Sequence, residues 1–444
     1  MILEATSRGL TTPDGVNLKS VAGTGVAYDN NDRFVALQNG KATLNETVGI
    51  LYQPIQVNPI ETEICQRQLM EASPRGTTKK RRKRAYSFDT THIAPYHKKP
   101  KVTSGLISVN DPKRTDMDSF DFSSYETFDL LWVASNIYNN ETPSWFGWNA
   151  KYTNQDVPQH KIFYLQHIKA SPTKRCVVLE TMNRALTIAE ECNLPSINLT
   201  YDLSIAKDAY AIQGSESPKF DRLHISLGAF HQEGSFFNAI GKMVDGSGVV
   251  YMLQDCEVLG DGHTTGFMSG KSYKKCKAVH TQLALVMRMF HLDLFAKSQT
   301  DLVDLQLVLE KSLESLNMAC AFDEFSISSN LQNILQRYNA FCTLTRQGEH
   351  GKAAQFWMLY IDAIDIYQAF ARSHRLGDFK LLLKSSFEML KYFFVFNNRW
   401  YAKYGSLHLS KLLTLKDDHP ELYKQFTDGL FAIARTKNSF HGRL

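Results

Sequence analysis

The chain has 444 residues, 43% of them hydrophobic and 21% charged, with a formal net charge of +5. This composition predicts a globular protein of two or three domains. Seven scattered cysteines without a Cys-x-x-Cys pair argue against a disulfide framework and a thiolate metal site. The N-terminus has no apolar leader segment, and no apolar run reaches the roughly eighteen residues of a membrane span, so we expect neither secretion nor membrane insertion.

Residues 1–70 are predicted to form the N-terminal strands of an α/β core. Two β-rich runs, "VAYDNNDRFVAL" and "ETVGILYQPIQV", flank the hairpin signal Asn39-Gly40. In residues 71–120 the composition changes to charged residues, Pro and Gly, with few aliphatic side chains. This composition predicts a basic, disordered insertion.

Residues 121–276 are predicted to complete the α/β core. They begin with a helix over "FDLLWVASNIY", an aromatic loop over "PSWFGWNAKY" and a helix over "RCVVLETMNRALTIAEEC". Two strand-helix units follow, "INLTYDLSIAKDAYAI" and "FDRLHISLGAFHQEGSFFNAIGKMV", which predict neighbouring parallel strands. Residues 277–444 keep a period near 3.6 residues and predict a helical subdomain of four or five helices.

One basic run is dense enough to bind phosphates or an import receptor. It comprises Lys79, Lys80, Arg81, Arg82, Lys83 and Arg84. The alternative is a solvated loop. Because the six cations are consecutive, the sequence supports a nuclear location and a nucleic-acid partner as well as it supports a solvated loop.

Other candidate sites are weaker. The glycine-rich stretches "GSFFNAIGK" and "GFMSGKS" have the wrong glycine spacing for a phosphate loop, so no nucleotide cofactor is expected. His224 and His231 in the second strand-helix unit, and His280 and His291 on a helix, lack the partners that a metal site needs. The aromatic residues of "PSWFGWNAKY" either stack on bases or pack in the core, and core packing is the expectation.

Asp202 lies where the strand "INLTY" becomes a helix. A carboxylate at such a junction either caps the helix or belongs to a catalytic site, and position alone favours the cap. Asp29 and Asp32 lie at the end of another β-rich run. Two carboxylates on neighbouring strands with a third acid from a helix form the set that a two-metal phosphoryl-transfer site requires.

Several stretches resemble a multi-copy family of uncharacterised animal proteins that look transposon-derived. The resemblance runs over most of residues 10–440, in the order "VAYDNNDRFVALQNGKATLNETVGILYQ", "PSWFGWNAKY", "TYDLSIAKDAYAI", "ISLGAFHQEGSFFNAIGKMVDGSG", "SGKSYKKCKAVH" and "WYAKYGSLHLSKLLTLKDDHPELYKQFTDGLFAIARTKNSF". It implies a ribonuclease-H-like core of the DDE-transposase kind, with a mixed sheet and a helical part before the last catalytic element.

The resemblance also implies roles for the acids. The Asp-Asn-x-Asp segment of the family matches Asp29 and Asp32, and its Thr-Phe-Asp segment matches Tyr201 and Asp202, so these three acids would be catalytic and Asp29 and Asp202 would bind Mg²⁺. The third acid of the family follows a Lys-Thr-x-Asn-x-Phe motif, matched here by "RTKNSF", and no acid follows it before Leu444. The family's Arg in the "GK-Y-R" segment is replaced by Lys275 or Cys276.

Two functions therefore stand as expectations. The first is a transposon-derived nuclear protein that binds nucleic acid through an incomplete two-metal site, with Mg²⁺-dependent strand cleavage if the site is active. The second is a non-enzymatic interaction module in which Asp202 only caps a helix. The first requires Asp202 and either Asp29 or Asp32 to lie on adjacent strands, with their carboxylates within roughly 4 to 8 Å of each other.

Overall fold

The computed structural model describes residues 11–37, 40–55, 93–97, 123–139, 141–153, 158–300, 302–434 and 440. The side chains of residues 32–37, 40–45, 123–124 and 302–303 lie outside this description. Within these limits the strands are β1 (Gly25–Leu37), β2 (Gly40–Pro54), β3 (His160–Tyr164), β4 (Ile197–Tyr201) and β5 (Leu223–Leu227).

Helices make up most of the remaining described chain. The first seven are α1 (Ser123–Tyr138), α2 (Trp145–Tyr152), α3 (Arg175–Glu191), α4 (Leu203–Glu216), α5 (Ala229–Val244), α6 (Val249–Asp255) and α7 (Thr264–Met268). The others are α8 (Tyr273–Lys297), α9 (Leu302–Ala319), α10 (Ser329–Gln347), α11 (Lys352–Leu376), α12 (Phe379–Val395), α13 (Arg399–Leu413), α14 (Leu415–Asp418) and α15 (Pro420–Thr427).

The described strands form one mixed sheet in the order β3-β2-β1-β4-β5. β1 and β2 pair antiparallel, as the Asn39-Gly40 hairpin signal predicts, and β2 pairs antiparallel with β3. On its other side β1 pairs parallel with β4, with Tyr28 in register with Tyr201. The predicted α/β class is therefore confirmed, as is the neighbouring position of β4 and β5.

Two tyrosine-glycine pairs hold β1 and β2 together. Gly25 is in register with Tyr52, and Tyr28 is in register with Gly49. A Cβ atom at Gly25 would lie 2.2 Å from the Tyr52 hydroxyl, and one at Gly49 would lie 2.3 Å from the Tyr28 ring. Each tyrosine ring thus covers the glycine across from it, which fills the space that a glycine leaves in a strand.

The predicted α3 is confirmed, and its sequence explains both its packing and its end. Apolar residues such as Val178, Met182 and Ile188 recur at helical spacing and are buried. Asn193, with φ of 51°, follows the helix in the left-handed conformation that asparagine tolerates, and this ends the helix. Both α3 and α4 pack against β4.

The chain divides into two compact units. The first comprises residues 1–101 and 158–224, and the second comprises residues 102–157 and 225–444, so the division falls inside β5. In the first unit the core lies around Val26, Leu51 and Leu199, which are fully buried. In the second unit one hydrophobic core joins α1 and α2 with residues of α8, α9 and α10.

One local prediction is wrong, because "PSWFGWNAKY" forms the helix α2 rather than a loop. Ser144 caps the helix by accepting a hydrogen bond from the Gly147 N–H at 3.3 Å. Trp145, Phe146 and Trp148 are buried in the core of the second unit, as the packing alternative predicts. Burial of these three rings stabilises a segment whose aromatic and glycine content disfavours a helix.

The helical character of residues 277–444 is confirmed, although the described residues there hold eight helices, counting α8, rather than four or five. The long helices α8 and α11 each span 25 residues. Among the helices that the structure describes, none combines the length and apolar character needed to cross a membrane. The predicted basic insertion lies outside the described residues, apart from residues 93–97.

Candidate functional site

Asp29 and Asp202 come from adjacent strands, but Asp29 and Asp32 lie within β1 rather than at its predicted end, whereas Asp202 directly follows β4. Tyr28 and Tyr201 are the last residues in the parallel β1/β4 register, and each is followed directly by one of the two aspartates. Neighbouring strands lie about 4.8 Å apart, so the two backbones are one strand spacing apart at Tyr28 and Tyr201, the residues before the aspartates. The adjacency of β1 and β4, which is one part of what the transposase-like hypothesis requires, is present.

The two tyrosines before these aspartates hold β1 against the end of β4. The Tyr28 and Tyr201 rings are buried and stack at 6.3 Å between centroids. The Tyr201 hydroxyl is bonded to the Thr181 hydroxyl of α3 at 2.6 Å. Burial raises the pKa of Tyr28 and Tyr201, so both hydroxyls stay protonated and serve as structural groups.

Asp202 caps α4, as its position predicts. Its Oδ1 accepts the Ile205 N–H at 3.0 Å, and its Oδ2 accepts the Ser204 hydroxyl at 2.7 Å. A carboxylate has about four lone-pair sites, so these two hydrogen bonds leave room for a metal ion. The capping role and a metal-binding role are therefore compatible.

Asp29 is exposed, and its Oδ1 accepts the Asn30 N–H at 2.7 Å. Asp32 lies three residues further along β1, opposite Asn45 and past the end of β4. Three strand residues span about 10 Å, so the Asp32 backbone is further from Asp202 than the Asp29 backbone is. The Asp32 side chain lies outside the described residues. Of the two N-terminal acids, Asp29 has the better-placed backbone.

Other predicted site residues are not brought together into a site. Across the described part of the chain, no group of three or more His, Cys, Asp or Glu side chains could hold a metal ion. His280 is fully buried between Phe237 and Phe267, whose rings stack on it at 5.4 and 4.5 Å. Its Nδ1 is bonded to the Tyr360 hydroxyl at 2.9 Å, and burial lowers its pKa to about 3. His280 is therefore a neutral core residue.

The two glycine-rich stretches serve close packing. A Cβ atom at Gly241 in α5 would lie 2.0 Å from the Met268 carbonyl oxygen, and one at Gly270 would lie 2.1 Å from the Gly234 carbonyl oxygen. Gly270 also has φ of 73°, which glycine adopts without strain. Segments 234–242 and 266–272 thus lie against each other, and their glycines allow the two backbones to approach.

A buried ion pair in the second unit was missed by sequence reasoning. Arg372 of α11 donates to Asp129 of α1 through both terminal nitrogens, at 2.5 and 3.1 Å, and its Nε donates to the Asn149 side chain at 3.0 Å. The Trp145 indole N–H donates to Asp129 at 3.0 Å. Arg372 is 1% exposed. It links α1, α2 and α11, and the only sequence signal is an arginine within the apolar run "IYQAFARSHRL".

A second buried polar cluster surrounds Glu233 of α5. The Tyr273 hydroxyl donates to the Glu233 carboxylate. Burial raises the pKa of Glu233, although the Tyr273 hydrogen bond and the Arg375 and Lys277 charges oppose the shift. Burial and the Arg375 charge lower the pKa of Lys277 to about 8, and its Nζ lies 3.6 Å from the centroid of the Phe146 ring. Perturbed pKa values often mark functional sites, but structural networks produce them as well.

The second unit also contains a cavity of about 310 Å³ with a mixed apolar and charged lining. The charged groups there have partners. Arg346 binds Asp362 through two hydrogen bonds of 2.8 Å, Arg372 binds Asp129, and Lys384 lies 3.8 Å from Glu388. These charges stabilise one another and the surrounding helices.

Comparison with known proteins places the chain in a family. A family model described as a domain of unknown function, DUF8702, matches residues 144–444. Because this range covers more than half of the chain, the protein belongs to that family. The matched range includes Asp202 and the helical part, whereas Asp29 and Asp32 precede it. No curated protein and no solved structure matches the chain.

Proposed function

We propose that this protein is transposon-derived and transposase-like, that it acts on nucleic acid in the nucleus, and that it retains an incomplete two-metal phosphoryl-transfer site. The observation that carries the proposal is the parallel β1/β4 register, which brings Asp29 within β1 beside the end of β4, where Asp202 follows. A metal-dependent site on an α/β sheet needs acids from separate strands at one edge, and these two acids meet that requirement.

The sheet supports a ribonuclease-H-like core. It begins with the antiparallel meander β1-β2-β3 and continues on the other side of β1 with β4 and β5, joined by α4. The parallel β1/β4 pair is the pair that must hold the first two catalytic acids of such a core. The strand order and the acids therefore agree with the same proposal.

The two carboxylates fit Mg²⁺ as the cofactor. Mg²⁺ prefers oxygen ligands, keeps several waters, and is commonly held by one or two carboxylates together with substrate phosphates. Asp29 and Asp202 would supply the protein ligands, and the phosphate of a bound nucleic acid would supply another. When bound, the ion would stabilise charge on the reacting phosphate oxygens. Because the described residues place only these two acids together, we expect weak metal binding and little or no strand cleavage.

Asp202→Asn tests the metal site. Asparagine caps a helix as well as aspartate does, so we expect unchanged stability but weaker binding of Mn²⁺, used as a paramagnetic probe for Mg²⁺. Asp29→Asn should weaken Mn²⁺ binding in the same way. Titration of Mn²⁺ followed by electron paramagnetic resonance, with and without a DNA oligonucleotide, measures the effect.

Asp202→Ser is a second variant that keeps a capping oxygen but supplies no carboxylate. It should therefore retain stability and bind Mn²⁺ as weakly as Asp202→Asn does. Asp202→Ala should lose the cap and cost about 1 kcal/mol of stability as well. If Asp202→Asn and Asp29→Asn bind Mn²⁺ as the wild type does, the metal site is rejected. The second function, a non-enzymatic interaction module, then remains, since the Asp202 cap alone explains that residue.

The nuclear location and the import receptor are proposed from Lys79 to Arg84, which lie outside the described residues. Six consecutive cations are typical of an import signal and of a phosphate-binding segment. These two roles do not exclude each other, because both rely on the same density of positive charge.

A further inference from the structure

An exposed surface of aromatic and basic side chains lies where α12 ends and α13 begins. Trp400 is 59% exposed and Phe394 is 63% exposed. Arg399 and Lys403 are also exposed. We refer to Phe394, Arg399, Trp400, Lys403 and Tyr404 as the α13 platform.

Two stripes run along the first turns of α13. Trp400 and Tyr404 are four residues apart, and their rings stack with an interplanar angle of 17°. Arg399 and Lys403 are also four residues apart, so they form a neighbouring stripe on the same helix. An aromatic stripe thus lies beside a cationic stripe.

The cations of the α13 platform are available to an anion. In the described residues neither Arg399 nor Lys403 has an acidic partner; the Lys403 Nζ lies 5.3 Å from the Tyr404 ring centroid. Both line a cleft of about 210 Å³ together with Phe393, Phe394, Asn397 and Ala402, and this lining contains no acid.

Positively charged residues also outnumber acidic residues over a longer stretch of the sequence around the platform. From Met389 to Lys416 there is no Asp or Glu, whereas five Lys or Arg residues occur. Some of these are neutralised, since Lys391 lies 2.5 Å from Glu388 and Lys411 lies 3.7 Å from Asp418. Arg399, Lys403 and Lys416 are the three that remain, and the first two of them belong to the α13 platform.

The α13 platform is held in place by buried contacts. Phe393 and Tyr392 at the end of α12 pack on Phe236 of α5, at 6.0 and 5.3 Å between ring centroids. Lys242 donates to the Phe396 carbonyl oxygen at 2.8 Å, and Asn397 makes the turn with φ of 53°. The surface is thus fixed before any ligand binds, which lowers the entropic cost of binding.

We infer that the α13 platform binds single-stranded nucleic acid, with bases stacking on Trp400 and phosphates held by Arg399 and Lys403. Stacking on exposed aromatic rings beside a cationic groove is how proteins bind single strands without reading their sequence. This inference rests on the proposed nucleic-acid partner and assigns it a contact surface in the helical unit.

Titration with a fluorescein-labelled oligodeoxythymidylate tests the inference, with anisotropy and tryptophan emission as readouts. Trp400→Ala should weaken binding about tenfold, because stacking contributes about 1–3 kcal/mol per base. In the wild type the oligonucleotide should quench tryptophan emission, and Trp400→Phe should remove most of this quenching. Trp132, Trp145 and Trp148 are buried, and the half-buried Trp357 lies on α11 outside the platform, so none of these four should respond.

Arg399→Ala with Lys403→Ala should lower the slope of log K against log salt by about 1.4, since each single-strand phosphate contact contributes about 0.7. The matched control, Lys311→Ala with Lys352→Ala, removes two exposed cations from α9 and α11 and should leave the slope unchanged. Circular dichroism spectra should be the same for all variants, because the replaced side chains lie at the surface.

Wild-type affinity and quenching in the Trp400 and Arg399/Lys403 variants would overturn the inference. If Trp400→Ala instead changes only the sedimentation of the protein, the α13 platform is a contact between copies, and the inference also fails. Neither outcome depends on Asp29 and Asp202, so the metal titration above judges the proposed function separately. Loss of binding on replacement of Lys79–Arg84 alone would support the proposed function and reject the α13 platform.

Discussion

Glu233 shows how a single buried acid makes stability depend on pH. In the unfolded chain its carboxyl ionises near the ordinary pKa of 4.5, whereas burial raises the pKa in the folded protein. The folded state therefore favours the protonated acid. The stabilising contribution is fully present below the ordinary pKa and is lost as pH rises through the raised, folded pKa.

We expect Glu233→Gln to remove this part of the pH dependence. Glutamine keeps an oxygen that accepts the Tyr273 hydrogen bond but carries no charge, so the variant should be more stable than the wild type above the folded pKa and not in acid. Urea unfolding across a pH series measures the difference. The control is Glu314→Gln at an exposed position on α9. Parallel stability curves for wild type and Glu233→Gln would contradict the prediction.

Some single residues were predictable and others were not. The Asp202 cap follows from a local pattern, a strand run followed by helical spacing, and the structure confirms it. The Arg372–Asp129 pair joins residues 243 positions apart, so no local pattern reveals it. Trp145 was correctly expected in the core, while the helix that carries it was missed because its burial outweighs its weak helix propensity.

At the scale of elements, the glycines between α5 and the segment after α7 determine how closely the two backbones approach. We expect Gly241→Ala to destabilise the protein by about 1–3 kcal/mol or more, because the new methyl group would meet a backbone oxygen that cannot rotate away. Gly262→Ala is the control in the same unit, since no atom lies within 4 Å of its Cβ position. It should change stability by less than about 0.5 kcal/mol.

Thermal unfolding followed by far-UV circular dichroism distinguishes these two variants. Equal midpoints for Gly241→Ala and Gly262→Ala would show that the α5 contact relaxes at no cost.

The strands β1, β4 and β5 and the helices α1, α3, α4 and α5 were predictable, because period and turn signals are local. The β1/β4 pairing was a requirement of one hypothesis rather than a deduction, because residues far apart in the chain make that contact.

At the scale of the whole molecule, the basic run Lys79–Arg84 is the sequence feature from which the nuclear location is proposed. Residues Lys79–Arg84 fused to a cytoplasmic fluorescent reporter should move it to the nucleus, because clustered cations are what an import receptor binds. The same segment with each cation replaced by Gln is the control. A reporter that stays cytoplasmic with the native segment would contradict the nuclear proposal.

In the full chain, the same six replacements should make duplex binding less sensitive to salt. The slope of log K against log salt should fall by about 0.9 for each phosphate that these cations neutralise. The spacing of strand and helix patterns predicted the α/β class, and a period near 3.6 residues predicted the helical C-terminal part. Such patterns could not predict the α13 platform, since exposure of Trp400 beside Arg399 and Lys403 depends on how α12 and α13 fold back at Asn397.

The reciprocal tyrosine-glycine pairs of β1 and β2 also affect how this sequence can evolve. Gly25 and Gly49 lie under the rings of Tyr52 and Tyr28, so neither glycine can gain a side chain while its tyrosine remains. A substitution of either glycine becomes acceptable only after a smaller residue has replaced the tyrosine across from it. Within each pair the tyrosine therefore constrains the glycine across from it, and we expect substitutions at these four positions to occur pairwise.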